Sequence, residues 1–356
     1  MNPGCVSGQA LGLDPSASPT AVYGALLARK TGMLALLAVL LVAVVLAGLC
    51  AGASGLSPAQ VLGGLARQND FAATVVWQLR LPRVLMAALV GAGLAAGGVA
   101  SQAILRNPLA SPFTLGVASG AAFGAALVIV SGSMSRWLPA ASAFCFALAA
   151  SFLVLGIARI KRGAAGGSSV LILGGVAIMF LFSSLTSFIQ YLGTEHEVQA
   201  IVFWAFGSLS KACWPEVAVA CLMILPPLPL LLRVSWDLNL LAAGDDAARS
   251  MGVDVARLRA GGLVLGALAT AGAICFTGVV GFIGLVAPHL ARMLVGGDHR
   301  VLLPAACCLG AALVAAADLV GRTLWQPQII PIGIMTSFLG VPFFLHLLLR
   351  RGREDW

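Results

Sequence analysis

Few side chains in this 356-residue sequence could do chemistry, and none is spaced for catalysis. No lysine follows a glycine, so there is no phosphate loop of the G-x-x-x-x-G-K-[ST] kind, and neither HExxH nor GxSxG occurs. His196, His289, His299 and His346 are not paired at metal-ligand spacing, so no metal site is expected. His196 and His299 are expected in loops. The eight cysteines form no C-x-x-C, and Cys50, Cys145, Cys221 and Cys275 fall in apolar runs, where they read as small buried hydrophobes. The chemistry that remains is recognition. Arginines sit at Arg80-Leu-Pro-Arg83 and at Arg322, with Asp318 one turn earlier, a spacing that suits a local ion pair. Asp245 and Asp246 open a short polar loop. Ser183, Ser187 and Gln190 follow 4–3 spacing and share one helix face, beside Ser184 and Thr186. Such a face either lines a polar path or bonds back to its own helix carbonyls.

The elements that carry these residues follow from composition. Sixty per cent of the chain is apolar and 10% is charged, against about 25% charged in soluble domains. So little charge cannot clothe a body of this size in water. Soluble enzymes, disordered chains and disulfide scaffolds are excluded. Long continuous apolar runs, rather than short alternating ones, point to an all-α integral membrane protein and away from a β-barrel. The stretches free of Asp, Glu, Lys and Arg are 31–66, 84–105, 107–135, 137–158, 163–194, 217–232, 260–291, 301–317 and 323–349. Most are single crossings. If 260–291 crosses twice, with a short second helix near 282–296, only Arg67, Arg80, Arg83, Arg136, Lys211 and Arg322 of the 21 Lys+Arg lie opposite the N-terminus. The positive-inside rule selects that arrangement. It gives ten spans with both termini cytoplasmic, and explains the net charge of +8 without nucleic acid.

Residues 1–32 then form a cytoplasmic leader, 33–350 the ten-span domain and 351–356 a cytoplasmic tail, with the largest inner loop at 234–260. Ala51-Gly52-Ala53 after an apolar run imitates a signal-peptide site, but the run is long and a polar leader precedes it, so span 1 is expected to stay. Gly93/Gly97, Gly116/Gly120/Gly124 and Gly262/Gly266 predict close helix packing. Gly278, Gly281, Gly284 and Pro288 are expected to break the helix near 282–296. In the inner loop, Asp245 and Asp246 suit a helix N-terminus. Ala248, Met251, Val255 and Leu258 would make one apolar face if the helix continued, although Gly252 is expected to split it. Arg249, Arg257 and Arg259 project elsewhere.

Four motifs, in this order, carry a resemblance. The first is Arg80-Leu-Pro-Arg83 with Gln102, Arg106-Asn107-Pro108 and Leu115-Gly-Val. The second is Gly244-Asp245-Asp246-Ala-Ala248-Arg249-Ser-Met251-Gly252. The third contains Gly278, Gly281, Gly284, Pro288, His289 and Arg292, then Asp298-His-Arg300. The fourth is Asp318 and Arg322, then Pro331, Gly333 and Gly340-Val-Pro. Together, from about Val76 to Arg351, the chain resembles the FecCD family of ABC importer permeases. The resemblance implies a type II ABC importer architecture with ten helices per subunit in the bacterial inner membrane. It implies a second permease subunit, commonly an identical copy. It implies two separate ATPase subunits that use ATP and Mg, and a periplasmic binding protein. The chain itself would hold no cofactor and catalyse nothing.

By the same resemblance, Arg80, Arg83 and Arg322 receive acidic residues of the binding protein, and the 244–252 motif seats in the ATPase subunit. The fifth span, with Ser183, Ser187 and Gln190, lines the path that Ser168 and Ser169, behind Gly166-Gly167, help to narrow. One departure is Ile329, where the family usually has glutamate; Gln326 and Gln328 are the nearest polar residues. The implied cargo is an iron chelate of the siderophore type, moved by alternating access, with haem or cobalamin as alternatives. A transporter driven by an ion gradient is the more distant alternative, disfavoured by the scarcity of acidic residues within spans.

Overall fold

The computed structural model describes residues 19–52, 55–133, 135–160, 168–325 and 327–350. The expected tail, most of the leader, Ser54, Gly166-Gly167 and Gln326 lie outside the described residues. Among those described, the regular structure is all helical. The chain opens with α1 (Pro19–Cys50), α2 (Pro58–Leu65) and α3 (Asp70–Thr74). Ser57 and Gln60 cap α2 reciprocally, and the Asn69 side chain caps α3. A π-turn over Val75–Arg80 runs directly into α4 (Leu81–Leu105). A 3-10 turn (Pro112–Leu115) leads to α5 (Val117–Val130), then α6 (Leu138–Ile160), α7 (Ser168–Leu192) and the short α8 (Glu195–Phe206). Helices α9 (Trp214–Ile224) and α10 (Pro227–Arg233) form one broken apolar rod. Next come α11 (Ser235–Ala242), α12 (Asp245–Ser250), α13 (Val255–Thr277), α14 (Ile283–Val295), α15 (His299–Thr323) and α16 (Ile332–Arg350).

Seven of these helical stretches are long and apolar enough to cross a membrane: Leu27–Cys50, Asp70–Leu105, Leu138–Ile160, Ser168–Leu192, Trp214–Arg233, Val255–Thr277 and His299–Thr323. Val117–Val130, Ile283–Val295 and Ile332–His346 are apolar but shorter. At about 1.5 Å per residue they fall short of a hydrocarbon core about 30 Å thick.

Helix α4 is the axis of the bundle, with α13, α14 and α15 packed around it. Lipid-like interiors offer no hydrophobic drive between helices, so close backbone approach must hold them together. A Cβ on Gly91 would sit 2.1 Å from the Gly310 carbonyl oxygen of α15, and one on Gly98 only 1.9 Å from that of Gly284 in α14. The glycine-spaced motifs also pack as expected. Gly97 faces Thr270 and Gly266 of α13, while Gly120 and Gly124 face the α6 backbone.

The break before α14 differs from the expectation. The chain turns at Gly278 (φ 74°) and Phe282 (φ 64°), while Gly284 and Pro288 lie inside the helix. Pro288 has no N–H to donate to the Gly284 carbonyl. That carbonyl is the surface against which Gly98 packs, so the proline sits where its missing donor leaves an acceptor for a crossing helix. The histidines also differ. His196 lies in α8, and His299 opens α15 at 1% exposure.

Candidate functional site

The predicted functional residues separate into two ends of the bundle and one exposed helix face. At the end that carries α8, Arg80, Arg83, Asp318 and Arg322 come together. Arg80 donates from Nη1 to the carbonyls of Leu49 (2.5 Å) and Cys50 (2.9 Å). Arg322 donates to the carbonyl of Gly48. These are carbonyls of the last turn of α1, which lack intrahelical partners, and two guanidiniums meet both their lone pairs and the negative end of the helix dipole. Asp318 is 4% exposed and takes Arg83 in a forked contact, with Nε at 3.0 Å and Nη2 at 2.8 Å. Its local partner Arg322 stands further off, at 3.6 Å. The expected i,i+4 pair is therefore secondary to a link between α4 and α15. The planar Arg83 fork matches the carboxylate, whereas Arg322 is drawn away towards α1. Arg80 and Arg322 are buried, so they do not form an exposed rim.

Arg83 reaches a cleft of ≈ 550 Å³ lined also by Phe203, Trp204, Lys211, Thr277 and Ile329. Three segments knit this cleft. Ser208 N–H donates to Thr277 O (2.7 Å), and Ile332 N–H donates to Gly207 O (3.2 Å). A Cβ on Gly333 would lie 2.6 Å from the carbonyls of both Phe206 and Val279. Pro331 and Gly333 thus seat the start of α16 between the ends of α8 and α13. His289 meets Phe343 edge-on with ring centres 6.0 Å apart, joining α14 to α16.

On α7, Ser183, Ser184 and Ser187 are exposed and Gln190 is half-buried, among Phe180, Phe188 and Tyr191 on the open side of the helix. The Ser187 hydroxyl donates to Ser183 O (3.1 Å), and Thr186 to Phe182 O (2.8 Å). These two hydroxyls bond back to their own helix, Ser187 doing so from the exposed face. Ser168 is half-buried and Ser169 exposed, at the opposite end of the same helix.

At the other end of the bundle, α12 begins at Asp245 and Asp246, as the dipole argument requires. Asp245 accepts from Arg259 of α13 (2.8 Å) and lies 3.6 Å from Arg106, which ends α4 in the left-handed region. Asn107 closes the next turn by accepting from Leu109 N–H (2.9 Å), with Pro108 between them. Arg249 pairs with Asp246 and Arg257 with Asp254, both locally. Arg259, expected to project elsewhere, instead ties α12 to α13. The helix divides at Gly252 as expected, into α12 and α13, so no single apolar face runs through it. Ala248, Val255 and Leu258 are buried, but Met251 is 67% exposed. Gly252 (φ 85°) turns the chain before Asp254 caps α13, so Met251 leaves the common face.

One link at this end was not legible. Asn239 of α11 donates its amide to Asp298 (2.9 Å) and accepts from His299 N–H (2.9 Å), 60 residues away. Asp298-His299-Arg300 is visible in the sequence, but nothing local to it points to Asn239. The forked Arg300 guanidinium first, and then the Asn239 amide, hold the Asp298 carboxyl well below the usual carboxylate range. Among the described residues, no group of three His, Cys, Asp or Glu could hold a metal ion.

Comparison with known proteins shows which family the chain resembles. A profile of the FecCD transport family covers residues 40–350. The hemin transport system permease HmuU of Yersinia pestis is 39% identical over 285 residues, covering 78% of this chain and 84% of that protein. The vitamin B12 import system permease BtuC of Klebsiella pneumoniae is 36% identical, covering 89% of this chain and 93% of that one. A solved inward-facing structure of a metal-chelate type ABC transporter superposes with a TM-score of 0.81 at 36% identity, covering 90% of this chain and 99% of that one. With profile, relatives and fold agreeing over nearly the whole chain, this multi-pass membrane protein belongs to the FecCD transport family, as an ABC importer permease that works with separate ATPase and substrate-binding partners.

Proposed function

We propose that this chain forms half of a permease homodimer that carries an iron chelate of the siderophore type from periplasm to cytoplasm. Two ATPase subunits would bind ATP and Mg and drive alternating access, and this chain would need no cofactor of its own. In this reading the three short apolar helices complete ten crossings in the bacterial inner membrane. The α12 end and both termini face the cytoplasm. The α8 end faces the periplasm, where a binding protein docks over the arginine cluster, with Arg83 reachable through the cleft.

The observation that carries this reading is α12. It is anchored to α4 and α13 through Asp245, yet it presents Met251, Asp246 and Arg249 outward. A lever between an ATPase and a bundle needs both a rigid anchor and a free face. The polar and aromatic open face of α7 supports a path at the subunit interface, because a large hydrogen-bonding chelate needs a wide, partly polar wall. Identity does not separate the cargoes, since the Yersinia pestis hemin permease and the Helicobacter pylori iron chelatin permease are both 39% identical; the iron chelate is chosen over haem because the sequence has no His, Tyr or Met cluster suited to haem ligation.

The test is uptake in cells lacking their own permeases, supplied with this chain and its ATPase and binding protein. A labelled ferric siderophore should accumulate, and a hydrolysis-dead ATPase should abolish accumulation. Uptake of cobalamin or haem instead would overturn the cargo. Uptake that ignores the ATPase and collapses with the ion gradient would overturn the importer mechanism.

A further inference from the structure

Helices α6 and α13 cross at the α12 end and leave between them a groove that no transport role absorbs. Its volume is ≈ 620 Å³. Phe152, Leu155 and Gly156 of α6 face Gly261, Val264 and Leu265 of α13 across it. The α6 residues, continued by Arg159, follow 3–1–3 spacing and share one face. The long apolar trough has a single polar end, where Arg159 stands. Neither glycine is there for packing: a Cβ on Gly156 or Gly261 would meet nothing within 4 Å. They hollow the groove, unlike Gly98 or Gly91, which let backbones touch.

At the polar end, a second hollow joins Arg159 to Asp254, Ala256, Arg257 and Ala260. Asp254 is already engaged, capping α13 and pairing with Arg257 at 3.1 Å. Arg159 has no carboxylate within ion-pair distance among the described residues. An apolar trough whose end holds Arg159 and Arg257 against the single carboxylate of Asp254 has the chemistry of a site for a lipid with an anionic head.

We propose that the α6–α13 groove is a binding site for an anionic phospholipid, with an acyl chain along the glycine-hollowed trough and the phosphate on Arg159. The apolar lining and the arginine at its end commit it to a lipid rather than a peptide, because the trough lies between two helices long and apolar enough to cross a membrane. The assignment rests on the multi-pass membrane reading and places the lipid in the cytoplasmic leaflet on the topology proposed above. It does not depend on the cargo.

The test uses the full-length protein purified in mild detergent and mixed with dioleoyl-phosphatidylglycerol or dioleoyl-phosphatidylcholine, with bound lipid counted by native mass spectrometry. Phosphatidylglycerol should be retained in preference to phosphatidylcholine. Arg159→Gln should lower that preference by about fivefold, the effect of one basic residue at an anionic membrane surface. Gly156→Leu with Gly261→Leu should remove the tight lipid of either head group, because the added side chains fill the trough. Neither glycine has a neighbour that a Cβ would strike, so this variant should stay folded, checked by its elution as one symmetric species. Equal retention of the two lipids by the parent protein would overturn the proposal, as would unchanged retention in the filled-groove variant. ATP-driven uptake, measured in parallel, separates loss of the lipid site from loss of the importer reading, since uptake can persist without the lipid.

Discussion

Asp318 pairs with two arginines at once, and that makes an ordering prediction. Its carboxylate lies 2.8 Å from Arg83 and 3.6 Å from Arg322, with side chains 13%, 4% and 7% exposed for Arg83, Asp318 and Arg322. An effective dielectric of about 20 gives gross attractions of about 6 kcal/mol at 2.8 Å and about 5 kcal/mol at 3.6 Å, before desolvation is subtracted. The measured cost of breaking a buried pair by removing one member is about 3–5 kcal/mol, because the other charge stays buried. Arg83→Gln leaves Asp318 with Arg322, so its cost should fall near the low end, about 3 kcal/mol. Asp318→Asn takes the carboxylate away from both arginines, so its cost should approach about 5 kcal/mol. The double variant removes one anion and one cation, leaving Arg322 still bonded to the Gly48 carbonyl, and should be milder than Asp318→Asn alone. The assay is thermal denaturation of purified protein, following the fraction that stays monodisperse on size exclusion. If Asp318→Asn were no worse than Arg83→Gln, or the double variant no milder than Asp318→Asn, the shared-carboxylate account would be wrong.

Three further predictions follow from burial and contact. Met251→Asp should leave expression and thermal stability unchanged, because Met251 is 67% exposed, but should abolish co-purification of the ATPase or ATP-dependent uptake; full retention of both would sink the lever role of α12. Ser187→Trp should block uptake while leaving subunit assembly intact, since Ser187 is exposed and bonds only within α7; normal uptake would remove α7 from the path. Gly98→Ala should destabilise by about 1–3 kcal/mol or more as the new methyl meets the Gly284 carbonyl. Gly156→Ala, with nothing within 4 Å, should be neutral or stabilising by about 1 kcal/mol, and equal effects of the two in the thermal assay would refute the close-packing argument.

The α8-end cluster also changes what the outer arginines mean. Read as a string, Arg80-Leu-Pro-Arg83 and Arg322 are three cations near span ends. In the folded chain two of them cap α1 and the third holds α15. Any docking protein must therefore act on a cluster whose charges already have internal duties, and charge reversal there should cost stability before it costs recognition.

What the sequence determined by itself was the class of molecule and its repeated local logic. Composition alone demands a membrane-spanning helical bundle, because 10% charge cannot solvate the chain. Glycine spacing foretold the close approach of Gly93 and Gly97 to α13, since residues four apart must share a helix face whatever the neighbour, but not that of Gly91 to α15 or Gly98 to α14. Asp245 and Asp246 had to begin a helix for the same local reason. The tertiary structure decided everything that needed a second segment. It chose Arg83 over Arg322 for Asp318, 235 residues apart in sequence for the first pair and four for the second. It turned Met251 outward at Gly252, placed Gly284 and Pro288 inside α14 rather than at its break, and joined Asn239 to Asp298. Local periodicity fixes which side chains share a face, but which face meets which helix, and which carbonyls are left for an arginine to cap, is settled only when the helices cross.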